Sequence, residues 1–576
     1  MKRSGIRGLL AALGSYRRHV ALGMLGVVVS DGAQLAVPML IRPMVDDLTA
    51  GTADVVSLSR YALVIVALAA FAFGAKYVWR HFMFSAGRLV EMDIRRDLLD
   101  QALNLPAAEN ATIRTGEFMA LATNDVSSVR MAISFGLIAA FDAIGFSLAA
   151  FGLMVWLDWR LALWTCIPFP LLGLIMWMSL GHIYDRWDRV QANFEKLTER
   201  VREGIAGMRV LRAHVQGQGD LLDFDKTNDE YYRLYMDYVR INSLFQPAIV
   251  LLAGSSTAIL LGVGGLQVIS GQASMGTFTA FSAYLAQLTW PMIAAGWVIN
   301  LVQRGAASMD RIERMLGRTR EPAGGQAPPP AQGGIRAEGV TFTYPGAAVP
   351  ALRDVAFELA PGGSLGVVGE IGSGKSTLSV LLLRLYDPPA GSLLLDGMDI
   401  LDYDLGELRR RIALVPQEAF LFSDTIRENL LLGDPEASQE RLEEACRLAA
   451  IHDEILEFPE GYETVLGERG VTLSGGQKQR LCLARALLKR SPVLLFDDTL
   501  SAVDPDTERR ILDSLRDRLE SRTALVISHR VSAVQDLDRI LVLHQGGVVA
   551  TGTHRELLAR PGLYRDLYEL QKLAEL

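Results

Sequence analysis

The chain predicts a two-part fold: an α-helical domain with six membrane-spanning helices and long cytoplasmic extensions, fused to an α/β domain that holds phosphate. Three observations predict it. Residues up to about 300 fall into apolar blocks of spanning length, whereas the remainder has the charge density of a soluble domain. The polar connections between those blocks alternate sharply in charge. Beyond residue 334 the pattern changes to short apolar strands alternating with helices, and Gly369–Thr377 reads GEIGSGKST, a glycine-rich phosphate loop.

A chain of 576 residues exceeds one ordinary core, so separate domains are expected. The net charge of −8, with no basic stripe carrying interleaved aromatics, argues against nucleic acid as a partner. Cys166, Cys446 and Cys482 are far apart and lack CxxC spacing, which supports neither a disulfide framework nor a zinc site.

Met1–Val20 is basic, through Lys2, Arg3, Arg7, Arg17 and Arg18, and leads into an apolar run that continues past Ser30 to Met44. That run is too long for a cleaved signal peptide. It predicts a short amphipathic helix on the cytoplasmic surface followed by an uncleaved first span. The six predicted spans are Val20–Pro43, Tyr61–Phe84, Ile133–Trp156, Leu161–His182, Ile241–Val268 and Thr277–Val302. Asp46–Ser59 is acidic without Lys or Arg, Leu157–Arg160 is a tight link, and Ser270–Gly276 is uncharged. Gly87–Arg130 and Tyr184–Arg240 are long and rich in arginine, so the positive-inside rule puts them and both termini in the cytoplasm.

The long connections are expected to be helical arms. Val190–Val215 sets Phe194, Leu197, Val201, Ile205 and Met208 at helical spacing. Gly317–Gly334 then reads as a linker by its Pro and Gly content. The expected domains are residues 1–316 in the membrane, a linker at 317–334 and a nucleotide domain at 335–576, with no internal repeat.

In the nucleotide domain Val367-Val368 leads into the loop as a strand, and an apolar helix pattern follows it. The loop amides from Gly369 through Ile371, Gly372, Ser373 and Gly374 suit phosphate, Lys375 suits the β/γ-phosphates, Ser376 suits Mg²⁺, and Thr377 closes the motif. Leu494-Leu495-Phe496 is a buried-strand run ending in Asp497 and Asp498. Asp497 is placed to hold Mg²⁺ on a nucleotide, and Asp498 to act as general base on the attacking water. Ser474, Gly475, Gly476 and Gln477 open a helix whose start offers a second phosphate site. Gln417 follows a short strand and can touch Mg²⁺ or water. His529 ends another strand within reach of a γ-phosphate, and Tyr344 offers a ring to adenine.

Together these segments resemble the nucleotide-binding domain of the ATP-binding cassette (ABC) family. They match its adenine-stacking tyrosine (Tyr344), Walker A (Gly369–Thr377), Q-loop (Gln417), signature (Leu473–Gln477), Walker B (Leu494–Asp497), D-loop (Ser501-Ala502-Val503-Asp504) and switch histidine (His529). Gly467-Glu468-Arg469-Gly470 resembles the exporter form of the segment before the signature. Six spans ahead of one such domain are similar to an ABC exporter half-transporter. In particular the chain resembles the aspartate-bearing, degenerate-site subunit of bacterial heterodimeric multidrug-type exporters. The family usually has glutamate at the position of Asp498, and often proline at that of Glu370.

The resemblance implies ATP and Mg²⁺ as cofactors and a second half-transporter as partner, because each ATP lies between one chain's Walker A and the other's signature. Asp498, one methylene short, implies slow hydrolysis at this chain's own Walker site, with a partner glutamate supplying the active one; a homodimer is the alternative. Segments near Thr115–Phe118 and Ala206–Gln216 are the expected couplers, docking beside Gln417–Asn429. The expected function is export of hydrophobic or amphiphilic compounds across the cell inner membrane, with the nucleotide domain cytoplasmic. A lipid flippase, a peptide exporter, or an ATP-gated channel or regulator are the competing readings. Asp31, Lys76 and Asp142 fall inside predicted spans, where carboxylates either attract cations or form a structural pair. Trp164, Trp177, Phe245 and Trp297 are candidates to line an apolar pocket.

Overall fold

The computed structural model describes residues 3–467, 473–499, 503, 506–511, 514 and 522–574. The chain divides into two compact units, Met1–Leu103 with Arg114–Arg318, and Asn104–Ile113 with Thr319–Leu576.

The first unit is helical throughout. Its helices are α1 (Arg3–Ser15), α2 (Arg17–Thr49), α3 (Val55–Leu103), α4 (Thr115–Leu157), α5 (Trp159–Cys166), α6 (Pro168–Ala206), α7 (Met208–Ala213), α8 (Gly217–Ile259) and α9 (Met275–Leu316). A 49-residue helix such as α3 extends about 74 Å at 1.5 Å per residue, more than twice a hydrocarbon core of about 30 Å. The apolar part of α3 can therefore cross a membrane and leave a long arm beyond it. Among the described residues four stretches are long and apolar enough to span: Arg17–Thr49, Val55–Leu103, Thr115–Leu157 and Val250–Ile269. The other two predicted spans lie on α5 with α6 and on α9, helices in which several side chains, 172–182 among them, lie outside the described residues.

Short polar devices set the turns between helices. Asp158 caps α5, its carboxylate accepting the amides of Arg160 and Leu161 at 2.9 and 3.0 Å. Asp46 at the end of α2 accepts Ser274 Oγ at 2.9 Å and the Gly276 amide at 2.7 Å, which ties down the start of α9. Three π turns interrupt α4, at Leu121–Asp125, Ala132–Gly136 and Asp142–Phe146. Among the described residues, one apolar cluster joins Leu35, Phe146, Phe281 and Tyr284, and another joins Val27, Met83 and Ile138. Tyr284 buries its ring and satisfies its hydroxyl on the Leu35 carbonyl at 2.8 Å. Toward the arms, Glu91 of α3 is buried beneath Arg88, Arg95 and Arg130, and Asp125 of α4 holds Ser308 and Arg311 of α9. Such dense pairing offsets the cost of taking these carboxylates out of water.

The second unit is built on two sheets. Strands β1 (Ile335–Phe342), β2 (Leu352–Leu359), β3 (Ser364–Gly369), β4 (Leu393–Leu395), β5 (Met398–Asp399), β6 (Ile412–Val415), β7 (Val493–Asp497), β8 (Thr523–Ser528), β9 (Arg539–His544) and β10 (Gly547–Gly552) form an antiparallel sheet of order β2-β1-β4-β5 and a larger sheet of order β10-β9-β3-β8-β7-β6. In the larger sheet all pairs but β9–β10 are parallel, so the carboxyl ends of β3, β8, β7 and β6 stand side by side. β7 and β8 are buried at every position, as strands covered on both faces must be. Helix α10 (Lys375–Leu382) follows β3. Helices α11 (Gln439–Leu448), α12 (His452–Glu457) and α13 (Gly475–Leu488) pack around Leu442, Cys446, Ile455 and Leu481.

The Pro/Gly-rich stretch beyond Thr319 carries neither helix nor strand, yet it is laid down as a strap. Glu321 makes a two-pronged ion pair with Arg409 at 2.7 Å on each side. Arg411 donates to the Pro329 carbonyl at 2.7 Å, and Asp396 accepts the amides of Gln332, Gly333 and Gly334. Composition alone predicts a flexible connector there; the carboxylates and guanidinia that fasten it come from residues distant in sequence.

Candidate active site

Strand order explains why the predicted site residues converge. Walker-type loop Gly369–Gly374 leaves β3, His529 leaves β8, Asp497 and Asp498 end β7, and Gln417 follows β6, all at adjacent carboxyl ends of parallel strands. The loop turns into α10 through Gly374 at φ +94, where a Cβ would stand 2.2 Å from the Ala351 carbonyl, so glycine is required twice over. Lys375 is buried and its Nζ donates to the carbonyls of Gly369 and Glu370, each at 2.8 Å. Burial pushes its ammonium below the usual lysine value, and the neighbouring Asp498 and Asp497 pull it back. Ser373 Oγ is buried and without a hydrogen-bond partner in the middle of this loop. An orphaned hydroxyl in a ring of backbone amides fits a phosphate oxygen. Ile371, by contrast, projects its side chain into solvent.

Ser376 Oγ donates to Asp497 Oδ1 at 2.8 Å, and Ser379 Oγ donates to Asp497 Oδ2 at 2.7 Å. Ser379 was not among the predicted residues. It lies one turn past Ser376 on the buried face of α10, and a hydroxyl set among Leu378, Leu381 and Leu382 was the available signal. No group of three or more His, Cys, Asp or Glu suited to a metal occurs among the described residues. Mg²⁺ does not require one, because it binds through one or two hard oxygens with phosphate and water completing its shell. Ser376 Oγ beside the Asp497 carboxylate fits that description.

Asp498 adopts φ +47, in the left-handed region, and its amide donates to the Ile527 carbonyl at 2.8 Å. This turn presents its carboxylate to His529, whose Nδ1 lies 2.7 and 2.9 Å from the two oxygens. Gln417 Nε2 approaches the same carboxylate at 3.5 Å. Tyr344 donates to Thr377 Oγ1 at 3.3 Å and packs edge-on against Phe342 and Tyr386, which fixes its ring near the loop. Ser474 starts α13 with a reciprocal capping box to Gln477, leaving the amides of Gly475 and Gly476 at the helix start. Of the other expected motif residues, Glu468, Arg469, Gly470, Ser501, Ala502 and Asp504 lie outside the described residues, as do the side chains of Trp177 and Phe245.

Residues 20–292 match the ABC transporter transmembrane region family, and residues 352–501 match the ABC transporter family. The chain is 36% identical over 543 residues to a probable multidrug resistance ABC transporter ATP-binding/permease protein, YheI, of Bacillus subtilis, covering 93% of this chain and 92% of that one. The chain belongs to the ABC transporter family. Its relatives include the multidrug resistance-like ATP-binding protein MdlA of Escherichia coli, at 34% identity over 97% of this chain and 95% of that one. An ATP-dependent lipid A-core flippase of Thiobacillus denitrificans is 32% identical over 98% and 97% of the two chains. Among solved structures, a bacterial Atm1-family ABC exporter with ATP bound superposes with a TM-score of 0.78 at 27% identity, covering 96% of this chain and 98% of that one. This ABC transporter therefore joins a helical membrane domain of the Atm1 exporter fold to an ATPase domain.

Proposed function

We propose that this ABC transporter is one half of a dimeric exporter that moves hydrophobic or amphiphilic compounds out across the bacterial inner membrane. Its partner is a second half-transporter with glutamate after its own Walker B aspartate. The observation that carries this reading is Asp498: a short carboxylate on a left-handed residue, already engaged by His529, in the place of the general base. Its oxygens stay close to the strand end, where the shorter side chain reaches less far toward an attacking water.

In this reading Tyr344 stacks on adenine, the amides of Gly369–Gly374 wrap phosphate, and Lys375 exchanges its two carbonyl partners for phosphate oxygens. Ser376, Asp497 and Gln417 would hold Mg²⁺, whose contribution is to neutralise charge that develops on the phosphates. Ser379 keeps the Asp497 carboxylate turned toward Ser376. The signature Ser474–Gln477 serves the ATP held by the partner, so one site is fully equipped and the other mainly retains nucleotide. Apolar surface at Phe194, Val201, Ile205 and Met208, exposed in a single chain, supports pairing through the arms. The membrane domain is read with six spans, and the turns near Thr115–Phe118 and Ala206–Gln216 as its couplers to the ATPase. The flippase relative favours a lipid as the second candidate substrate.

The test is to purify the chain alone and together with a candidate partner and to compare ATP hydrolysis. Slow turnover alone and rapid turnover in the pair is expected; vigorous hydrolysis by the chain alone contradicts the division of labour.

A further inference from the structure

The signature helix is fastened by a carboxylate that belongs to none of the motifs. Gln477 Oε1 accepts the Ser474 amide at 2.8 Å, while the Gln477 amide donates to Ser474 Oγ at 3.2 Å. The other end of the Gln477 side chain is its NH₂ group, and Nε2 donates to Glu454 Oε2 of α12 at 2.9 Å. Arg480, one turn along α13, donates to both Glu454 oxygens at 2.6 and 3.0 Å and to the Ala450 carbonyl at 2.5 Å. Burial pushes the Glu454 carboxyl up, but the hydrogen bonds from Arg480 and Gln477 outweigh it and hold the group below the usual carboxylate range. Glu454 is therefore an anion at neutral pH, and an ionised carboxylate can only accept.

That one-way chemistry fixes a chain of orientations. The Gln477 amide cannot turn over without setting its oxygen against the Glu454 carboxylate. Held this way round, its oxygen anchors the Ser474 backbone amide, and so fixes in place the residue whose Oγ accepts the Gln477 backbone N–H. The Ser474 hydroxyl hydrogen is thereby directed away from the cap, free to be donated to a phosphate oxygen. We propose that Glu454 is a positioning residue for ATP hydrolysis, acting through Gln477 to present Ser474 as a donor to the ATP that the signature completes. The inference rests on the dimer reading, in which that ATP is bound by the partner's Walker A.

The experiment uses the full-length chain in its assembled dimer and measures kcat and KM for ATP in E454Q, E454D, S474A and the double variant E454Q/S474A. Glutamine keeps the size of Glu454 but lets both amides turn; aspartate remains acceptor-only. E454Q is expected to lower kcat roughly tenfold, the scale of one charge-assisted hydrogen bond. E454D should recover much of that loss, and E454Q should add nothing further in the S474A background. A melting temperature unchanged from the parent separates this from a packing defect. Slow S474A with normal E454Q overturns the role of Glu454 alone, as does an additive double variant or a loss that follows the melting temperature. Undiminished hydrolysis in S474A overturns the dimer reading and Glu454 together.

Discussion

The proposed division of labour turns on one side chain, Asp498. A non-glycine residue at φ +47 is uncommon, and aspartate tolerates that region better than longer residues because its short carboxyl can bond locally. The same shortness holds the oxygens against His529 Nδ1 rather than farther into the site. Asp498→Glu is therefore expected to raise hydrolysis at this chain's own Walker site by about tenfold or more, toward the range of general-base catalysis. The measurement is ATPase activity of a dimer whose other site is silenced; an unchanged rate would show that reach is not the limit. At this scale the sequence was most legible. Walker and switch residues carry their chemistry in type and spacing, and the strand order brings them together. Ser379 and Glu454 were harder to read, because a serine just past the Walker motif and a glutamate on a six-residue helix acquire a role only once their partners are in place.

Among the elements, α2 and α4 carry the question of substrate. The carboxyls of Asp31 and Asp142 are neighbours, and Asp31 Oδ2 and Asp142 Oδ1 are buried without a hydrogen-bond partner. Along α2, Asp31 falls between Val27 and Leu35, and along α4 Asp142 falls between Ile138 and Phe146, so an apolar cluster lies on either side of the pair. Lys76 of α3 donates to Gln34 Oε1 at 3.2 Å. Two neighbouring carboxylates in such surroundings are satisfied by one shared proton or by a cation between them. If a lipophilic cation fills that role, replacing both aspartates by asparagine lowers its transport about tenfold and spares a neutral substrate, read as efflux from inverted vesicles. Equal efflux of both probes assigns the pair to helix packing. Hydropathy made the apolar runs visible, since a bilayer imposes their length. It could not show the π turns of α4 at Leu121–Asp125, Ala132–Gly136 and Asp142–Phe146, which no periodicity announces.

For the whole molecule, the proposed dimer divides function between what this chain holds and what it lends: its Walker residues would serve ATP on its own side, and its signature the partner's. Substitutions in the two places should then differ. In the assembled dimer, Ser474→Ala in this chain is expected to slow hydrolysis about tenfold, whereas Lys375→Ala in this chain should cost only a few-fold. Equal losses, measured as steady-state phosphate release, would point to two equivalent sites and a homodimer. The division into two units was legible from composition, because an apolar half and a charged half cannot share one core. The fastening of the strap was not. Its sequence has the look of a spacer into which residues can be inserted or from which they can be lost. Yet Glu321, Pro329 and the amides of Gln332–Gly334 each meet a fixed partner, so every position between them is counted. A chimera that grafts this ATPase onto another membrane half should be cut before Glu321; a cut at Gly334 would discard part of the folded domain as though it were packaging.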